Sequence, residues 1–254
     1  MELPKNKFKA ALKRKEQQIG LWSCIPDTTA AEVIAGSNFD WILFDTEHSP
    51  ADPVNVLPIL QAVAPYTVTP IVRPAANDPV LIKRFLDIGV QTLLIPMVQS
   101  REEAENAVAA IRYPPRGIRG VAGTTRATRF GRISGYSERA EEELCLLLQI
   151  ETQAGLTALD EIAQTDGVDG VFIGPGDLAA SLGFPGQTRH PEVVQAIERA
   201  LKRLVELGVP PGILTPDIEF AKQCITNGTL FTAVGQDIGV LARETEKLRA
   251  TFEN

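Results

Sequence analysis

Histidine, methionine, tryptophan and cysteine are all scarce in this chain of 254 residues, which holds two, two, two and three of them. Cys24, Cys145 and Cys224 are odd in number, far apart and form no CxxC pair, which argues against a disulfide framework and leaves reduced, buried thiols. With His48 and His190 as the only histidines, zinc is disfavoured and the neutral-pH bases are few. No apolar run approaches the roughly 20 residues that a membrane helix needs. The lysine-rich start carries no apolar leader core, so a cytoplasmic location is expected. A net charge of −7 argues against general nucleic-acid binding, and any anion must be met by locally concentrated positive charge.

What the chain does have is an alternation of short apolar runs with helical patterns. Strands are predicted at 19–23, 39–44, 69–73, 92–97, 144–151, 170–175, 211–214 and 230–235. Between them lie helices opened by Thr28 or Thr29, by Asp52-Pro53, by Asp78-Pro79 and by the capping box at Ser100. Further helices are predicted at 136–143, 152–164, 191–207 and 218–227, with a closing one at 237–252. Eight strand-plus-helix units in about 250 residues is the count of an α/β fold of the (β/α)₈ TIM-barrel type, spanning 1–254 as one domain. An open doubly wound sheet is the alternative, but no GxGxxG follows the first strand. One segment breaks the rhythm: residues 112–135 hold six arginines and five glycines, a composition that suits a functional loop or a subunit contact.

A barrel gathers chemistry at the C-terminal ends of its strands. The polar residues placed there are Trp22, Asp45, Glu47 and His48, Arg73, Gln149 and Glu151, and Asp177. Glu151 and Asp177 follow apolar strands, where an unpaired carboxylate is costly, and two carboxylates with waters suit Mg²⁺ or Mn²⁺. The competing reading is that both merely cap the helices that follow. Arg73 suits a carboxylate or a developing oxyanion; the competing reading is a structural salt bridge. His48 is the base candidate, and His190 is read as a helix cap. Trp22 suits either the pocket wall or the barrel core. A metal and an arginine on a 2-oxo acid, with a base on its partner, is aldol chemistry. The alternative, a Schiff-base lysine at a strand end, has no candidate, because the lysines lie in the N-terminal arm and on helices.

These residues stand in longer stretches: FDWILFDTEH at 39–48, PIVRP at 70–74, QTLLIPMV at 91–98, RYPPRGIRG at 112–120, QIET at 149–152 and GVDGVFIGPGDL at 167–178. In them the chain resembles the HpcH/HpaI class II aldolases over nearly its whole length. The resemblance implies a metal-dependent aldolase that splits 4-hydroxy-2-oxo acids into pyruvate and an aldehyde, with 4-hydroxy-2-oxoheptanedioate giving succinic semialdehyde. A 2-dehydro-3-deoxy sugar-acid substrate, or a non-catalytic barrel that binds small acids, is the alternative. The resemblance makes His48 the proton acceptor, Arg73 the transition-state stabiliser, and Glu151 and Asp177 the ligands of Mg²⁺, Mn²⁺ or Co²⁺. It gives Gln149 and the backbone at Gly176 and Asp177 to the substrate, with Gly176 standing where relatives often have alanine; Trp22 and Leu214 are expected to line the substrate site beside them. It also matches Asp87 to an aspartate that raises the basicity of the histidine. Asp87 sits on the wrong face of a simple barrel, so it acts from a neighbouring subunit or is replaced by Asp45. A homohexamer is implied, with the helix from Asp237 exchanged between chains.

Overall fold

Eight apolar segments of four to six residues become the strands of one closed parallel barrel in the computed structural model, which describes residues 1–252. In chain order they are β1 (Gln18–Ser23), β2 (Trp41–Asp45), β3 (Thr69–Arg73), β4 (Thr92–Ile95), β5 (Cys145–Ile150), β6 (Gly170–Ile173), β7 (Pro211–Leu214) and β8 (Phe231–Gln236), with β8 pairing back onto β1. Closure leaves no free sheet edge, and the parallel crossovers are supplied by helices on the outside. These are α2 (Thr28–Ala35), α3 (Pro53–Ala62), α4 (Pro79–Asp87), α5 (Arg101–Ile111), α6 (Tyr136–Glu143), α7 (Gln153–Thr157), α8 (Leu159–Ala163), α9 (Pro175–Ser181), α10 (Pro191–Leu207), α11 (Ile218–Thr226) and α12 (Asp237–Ala250). A helix before the first strand, α1 (Lys7–Lys13), was not expected.

The caps explain most of the helix starts. Asp52, Asp78 and Ser100 each accept a backbone N–H in the first turn, as the sequence predicts. For α2 the cap is Asp27, one residue before the threonines, because its carboxylate reaches the N–H of Ala30. The predicted helix at 152–164 is two short ones, α7 and α8, that meet at Ala158. The fourth strand ends at Ile95 rather than at Met97, because Met97 takes a left-handed backbone with φ of 57° and turns the chain out of the strand.

Side chains alternate in and out along each strand, and this sorts the core into two shells. Ile42, Phe44, Val72, Leu146, Leu148 and Val171 point outward into the helix layer. Trp41, Leu43, Ile71, Cys145, Leu147, Phe172, Phe231 and Ala233 fill the barrel interior. Trp22 packs at a tilt against Phe172, 5.5 Å between ring centroids, and Phe172 likewise against Phe231 at 6.0 Å. Gly20 makes this filling possible, since a Cβ there would lie 2.2 Å from the Trp41 ring. Helix α1 closes the N-terminal end, placing Phe8 and Leu12 among the interior residues. Asn6 caps it and donates to Thr92 Oγ1 at 2.9 Å, and Lys9 pairs with Asp169 at 3.3 Å.

Candidate active site

The inward alternation that fills the barrel with apolar side chains ends in polar ones. On β2 the inward series is Trp41, Leu43, Asp45; on β3 it is Ile71, Arg73; on β5 it is Cys145, Leu147, Gln149 and then Glu151. All of these polar side chains are buried, with Asp45, Arg73, Gln149 and Glu151 between 2% and 5% exposed. They sit together because β2 and β3 pair with Asp45 opposite Arg73, and the neighbouring strands end at the same level.

Arg73 is the hub. Its Nε donates to Asp45 Oδ1 at 2.8 Å and its Nη2 to Asp45 Oδ2 at 2.6 Å, a two-pronged clamp. Its Nη1 lies 2.7 Å from Glu47 Oε2, an ion pair whose angle falls outside hydrogen-bond geometry and leaves that oxygen with no hydrogen-bond partner. The guanidinium also lies 4.9 Å over the Trp22 ring, whose Nε1 donates to Asp45 Oδ2 at 3.3 Å. Trp22 therefore serves both the barrel core and the site. Burial pushes the Asp45 carboxyl up, but the hydrogen bonds and charge of Arg73 outweigh it and hold the group below the usual carboxylate range. Glu47 goes the other way: burial raises it, against the pull of Arg73.

His48 stands at the rim, its side chain 64% exposed, with Nε2 3.9 Å from Glu47 Oε2. Asp45 has no room for it, since Arg73, Trp22 and the N–H of Glu47 already occupy its oxygens. Asp87 is at the C-terminal end of α4, where Arg119 Nη2 holds it at 3.0 Å. Within one chain its contact is with that buried arginine, which packs 4.5 Å over the Tyr113 ring.

Glu151 does not cap a helix; Thr152 does, accepting the N–H of Gly155. Instead Glu151 Oε1 accepts the N–H of Met97 at 2.8 Å, and Oε2 accepts a short hydrogen bond from Gln149 Nε2. Burial pushes the Glu151 carboxyl up to about 7, against those two bonds and with the charge of Glu47 adding to the rise. Asp177 lies in the first turn of α9, exposed, and makes no side-chain cap bond. It follows the C-terminal end of β6 by four residues, which places it on the face of the barrel where the other strands end. Gly174, between β6 and α9, lets that segment close on Glu151: a Cβ there would lie 2.6 Å from Oε2. Gly176 is open, with nothing within 4 Å of an added Cβ, and Leu214 is half-buried at the end of β7. His190 caps α10, taking the N–H of Glu192 at 3.4 Å while it stacks on Phe184.

Two features escaped the sequence. The Arg73–Glu47 pair was within reach, since Arg73 ends β3 and Glu47 lies two residues past the end of the neighbouring β2. The Met97 contact was not, because a left-handed backbone at a methionine leaves no mark in composition or periodicity.

A closed barrel whose C-terminal mouth carries a buried carboxylate, a clamped arginine and an exposed histidine defines an enzyme-like small-molecule site. The chain belongs to the HpcH/HpaI aldolase/citrate lyase family, whose profile matches residues 18–243. It is 66% identical to a pyruvate aldolase of Rhizobium etli, over 99% of each chain. It is 55% identical to a hydroxypyruvate/pyruvate aldolase of Sagittula stellata, covering 97% of this chain and 99% of that one. It is 51% identical to a 4-hydroxy-2-oxo-heptane-1,7-dioate aldolase of Shigella flexneri, covering 98% and 94%. Among solved structures, a family member from Burkholderia cenocepacia J2315 superposes with a TM-score of 0.94 at 37% identity, over 97% of this chain and 98% of that one.

Proposed function

We propose that the protein is a divalent-metal-dependent carbon–carbon lyase that cleaves 4-hydroxy-2-oxo acids to pyruvate and an aldehyde, and joins them in reverse. The observation that carries this is the pairing, at one barrel mouth, of a buried carboxylate held open by two donors with an arginine and an exposed histidine. None of the eight strands contains a lysine, so no Schiff-base nucleophile competes for the role.

The family is generally dependent on a divalent metal. The residues present fit one: Glu151 is a carboxylate in a cradle that a Gly174 Cβ would fill, and Gln149 Oε1 beside it is buried without a partner. Glu151 and Asp177 would hold Mg²⁺, Mn²⁺ or Co²⁺, as oxygen donors suited to a hard cation. When bound, the cation supplies Lewis-acid polarisation of the 2-oxo group.

The chain's own residues do the rest. His48 takes the proton of the 4-hydroxyl as the C3–C4 bond breaks; the aldehyde leaves, and the bonding pair becomes the enolate of pyruvate. Arg73, fixed by Asp45 and Glu47, presents its remaining N–H hydrogens to the oxygen where negative charge develops. Delivery of the His48 proton to C3, directly or through water, then gives pyruvate and restores the base. Gln149 and the backbone at Gly176 and Asp177 seat the pyruvate half; Trp22 and Leu214 wall the site.

The first substrate we assign is 4-hydroxy-2-oxoheptanedioate, giving succinic semialdehyde. The relative at 55% identity favours a second reading, in which hydroxypyruvate replaces pyruvate as the donor. The working form is read as a cytoplasmic homohexamer in which Asp87 serves the His48 of an adjoining chain; the own-chain neighbour of His48 is Glu47.

The test is a metal-stripped preparation assayed for pyruvate release across aldehydes of varied length and charge, with Mg²⁺, Mn²⁺ or Co²⁺ restored. Release that survives exhaustive chelation overturns the metal-dependent reading. His48→Ala is expected to slow cleavage by about 10²–10⁴; a near-normal rate removes His48 from the proton-transfer role.

A further inference from the structure

Glu151 is held more elaborately than a helix cap or an ion pair requires. Each of its oxygens receives one donor from a different direction, the Met97 N–H on Oε1 at 2.8 Å and the Gln149 carboxamide on Oε2. A carboxylate oxygen accepts at two lone-pair positions, so each retains one. The flank of Oε2 toward β6 is kept open by Gly174, whose Cβ would stand 2.6 Å away.

The Met97 donor comes at a conformational cost. Methionine at φ of 57° is in a region that side-chain-bearing residues enter sparsely, and such positions cluster at functional sites. The surrounding loop over-determines it. Val98 N–H donates to the Gln149 carbonyl at 3.1 Å, and Thr152 Oγ1 donates to Gln99 Oε1 at 3.1 Å. Residues 97–99 are thus laced one by one onto residues 149–152, and the strained residue is the one that points its amide at the carboxylate.

We infer that Met97, through its left-handed backbone amide, and Gln149, through its carboxamide, are positioning residues that fix the Glu151 carboxylate for a divalent cation. The inference rests on the metal-dependent reading above and adds to it where the orientation of the ligand comes from. Gln149 then acts on the cation through Glu151, independently of any contact with substrate.

The experiment measures Mn²⁺ affinity of the full chain, without substrate, by the free-Mn²⁺ electron paramagnetic resonance signal. Thermal melts of the metal-free proteins check that each variant is folded. Glu151→Gln is expected to abolish binding. Gln149→Leu removes one donor and is expected to weaken Mn²⁺ by about 10- to 100-fold, the usual cost of losing a group that orients a ligand. Met97→Val places a branched side chain where left-handed backbone is least tolerated and is expected to weaken binding as well. Met97→Gly keeps the N–H, adopts the same φ freely and is expected to retain wild-type affinity. If Gln149→Leu and Met97→Val bind Mn²⁺ like the wild type while Glu151→Gln does not, the positioning role is overturned and the metal reading stands. If Glu151→Gln itself binds like the wild type, the metal reading falls, and this inference with it.

Discussion

Arg73 spends its Nε and Nη2 bonds on Asp45 and places Nη1 against Glu47, so its position is set by two carboxylates before any substrate arrives. A guanidinium held in a plane by a two-pronged partner presents a fixed edge, which a flexible ammonium does not. The clamp has a signature in acid. The Asp45 carboxyl lies below its ordinary value when folded, so it contributes stability that is fully present above the unfolded value and is lost as pH falls through the folded one. The window is therefore below about pH 4, the ordinary aspartate value. Asp45→Asn leaves Arg73 half-paired in a buried site and should cost about 3–5 kcal/mol at neutral pH. Its denaturant-measured stability should also fall less steeply than that of the wild type between pH 4 and pH 2. Equal slopes for the two proteins would show that Asp45 is not the group being titrated. At this scale the sequence was readable where a polar residue closes an inward series of apolar ones, as with Asp45, Arg73, Gln149 and Glu151. It was not readable where a partner choice depends on three-dimensional competition. Asp45 and His48 are three residues apart, yet Arg73 takes the carboxylate because β2 and β3 are in register there.

At the scale of elements, the strands and most helices were legible because the period changes from 2 to 3.6 and back, with aspartate, proline or glycine at the switches. Helix α1 was missed although Asn6 is a cap and Phe8, Ala11 and Leu12 recur at helical spacing; seven residues give too little periodicity to stand out beside four lysines in the first 13 residues. Its work is to stopper the barrel. Phe8 meets Trp41 and Phe231 edge-on, at 6.1 and 5.7 Å between centroids, and is fully buried. Phe8→Ala should lower unfolding free energy by about 3–5 kcal/mol, measured by urea titration, because the hole left behind cannot collapse against a closed barrel. A loss below about 1 kcal/mol, the size of an ordinary surface change, would mean that α1 is dispensable to the interior.

At the scale of the whole molecule, the described surface is uneven in its apolar content. Helix α12 is anchored at its start, where Asp237 accepts from Ser23 Oγ and from the N–H groups of Cys24 and Ile25. Beyond that start its side chains pack little on their own barrel: Val240, Leu241 and Leu248 are 51%, 56% and 63% exposed. Ile118, Val121 and Phe130 of the arginine-rich loop are exposed as well. Exposed apolar residues gathered on one helix mark a contact surface, and this supports the assembly proposed above. Replacing Val240, Leu241 and Leu248 together by polar residues should convert an oligomer into smaller species in light scattering. An unchanged mass would remove α12 from the assembly.

The mouth of the barrel also has a balance of sign. Asp45, Glu47, Glu151 and Asp177 share the mouth with one guanidinium, and even with Glu151 only partly ionised near neutral pH the carboxylates outweigh it, on a chain that is itself acidic. An anionic 2-oxo acid, the substrate class proposed above, meets repulsion at that mouth, which a cation held by Glu151 and Asp177 would lower. On the metal-dependent reading proposed above, a cation that arrives first would ease the entry of the acid that follows it.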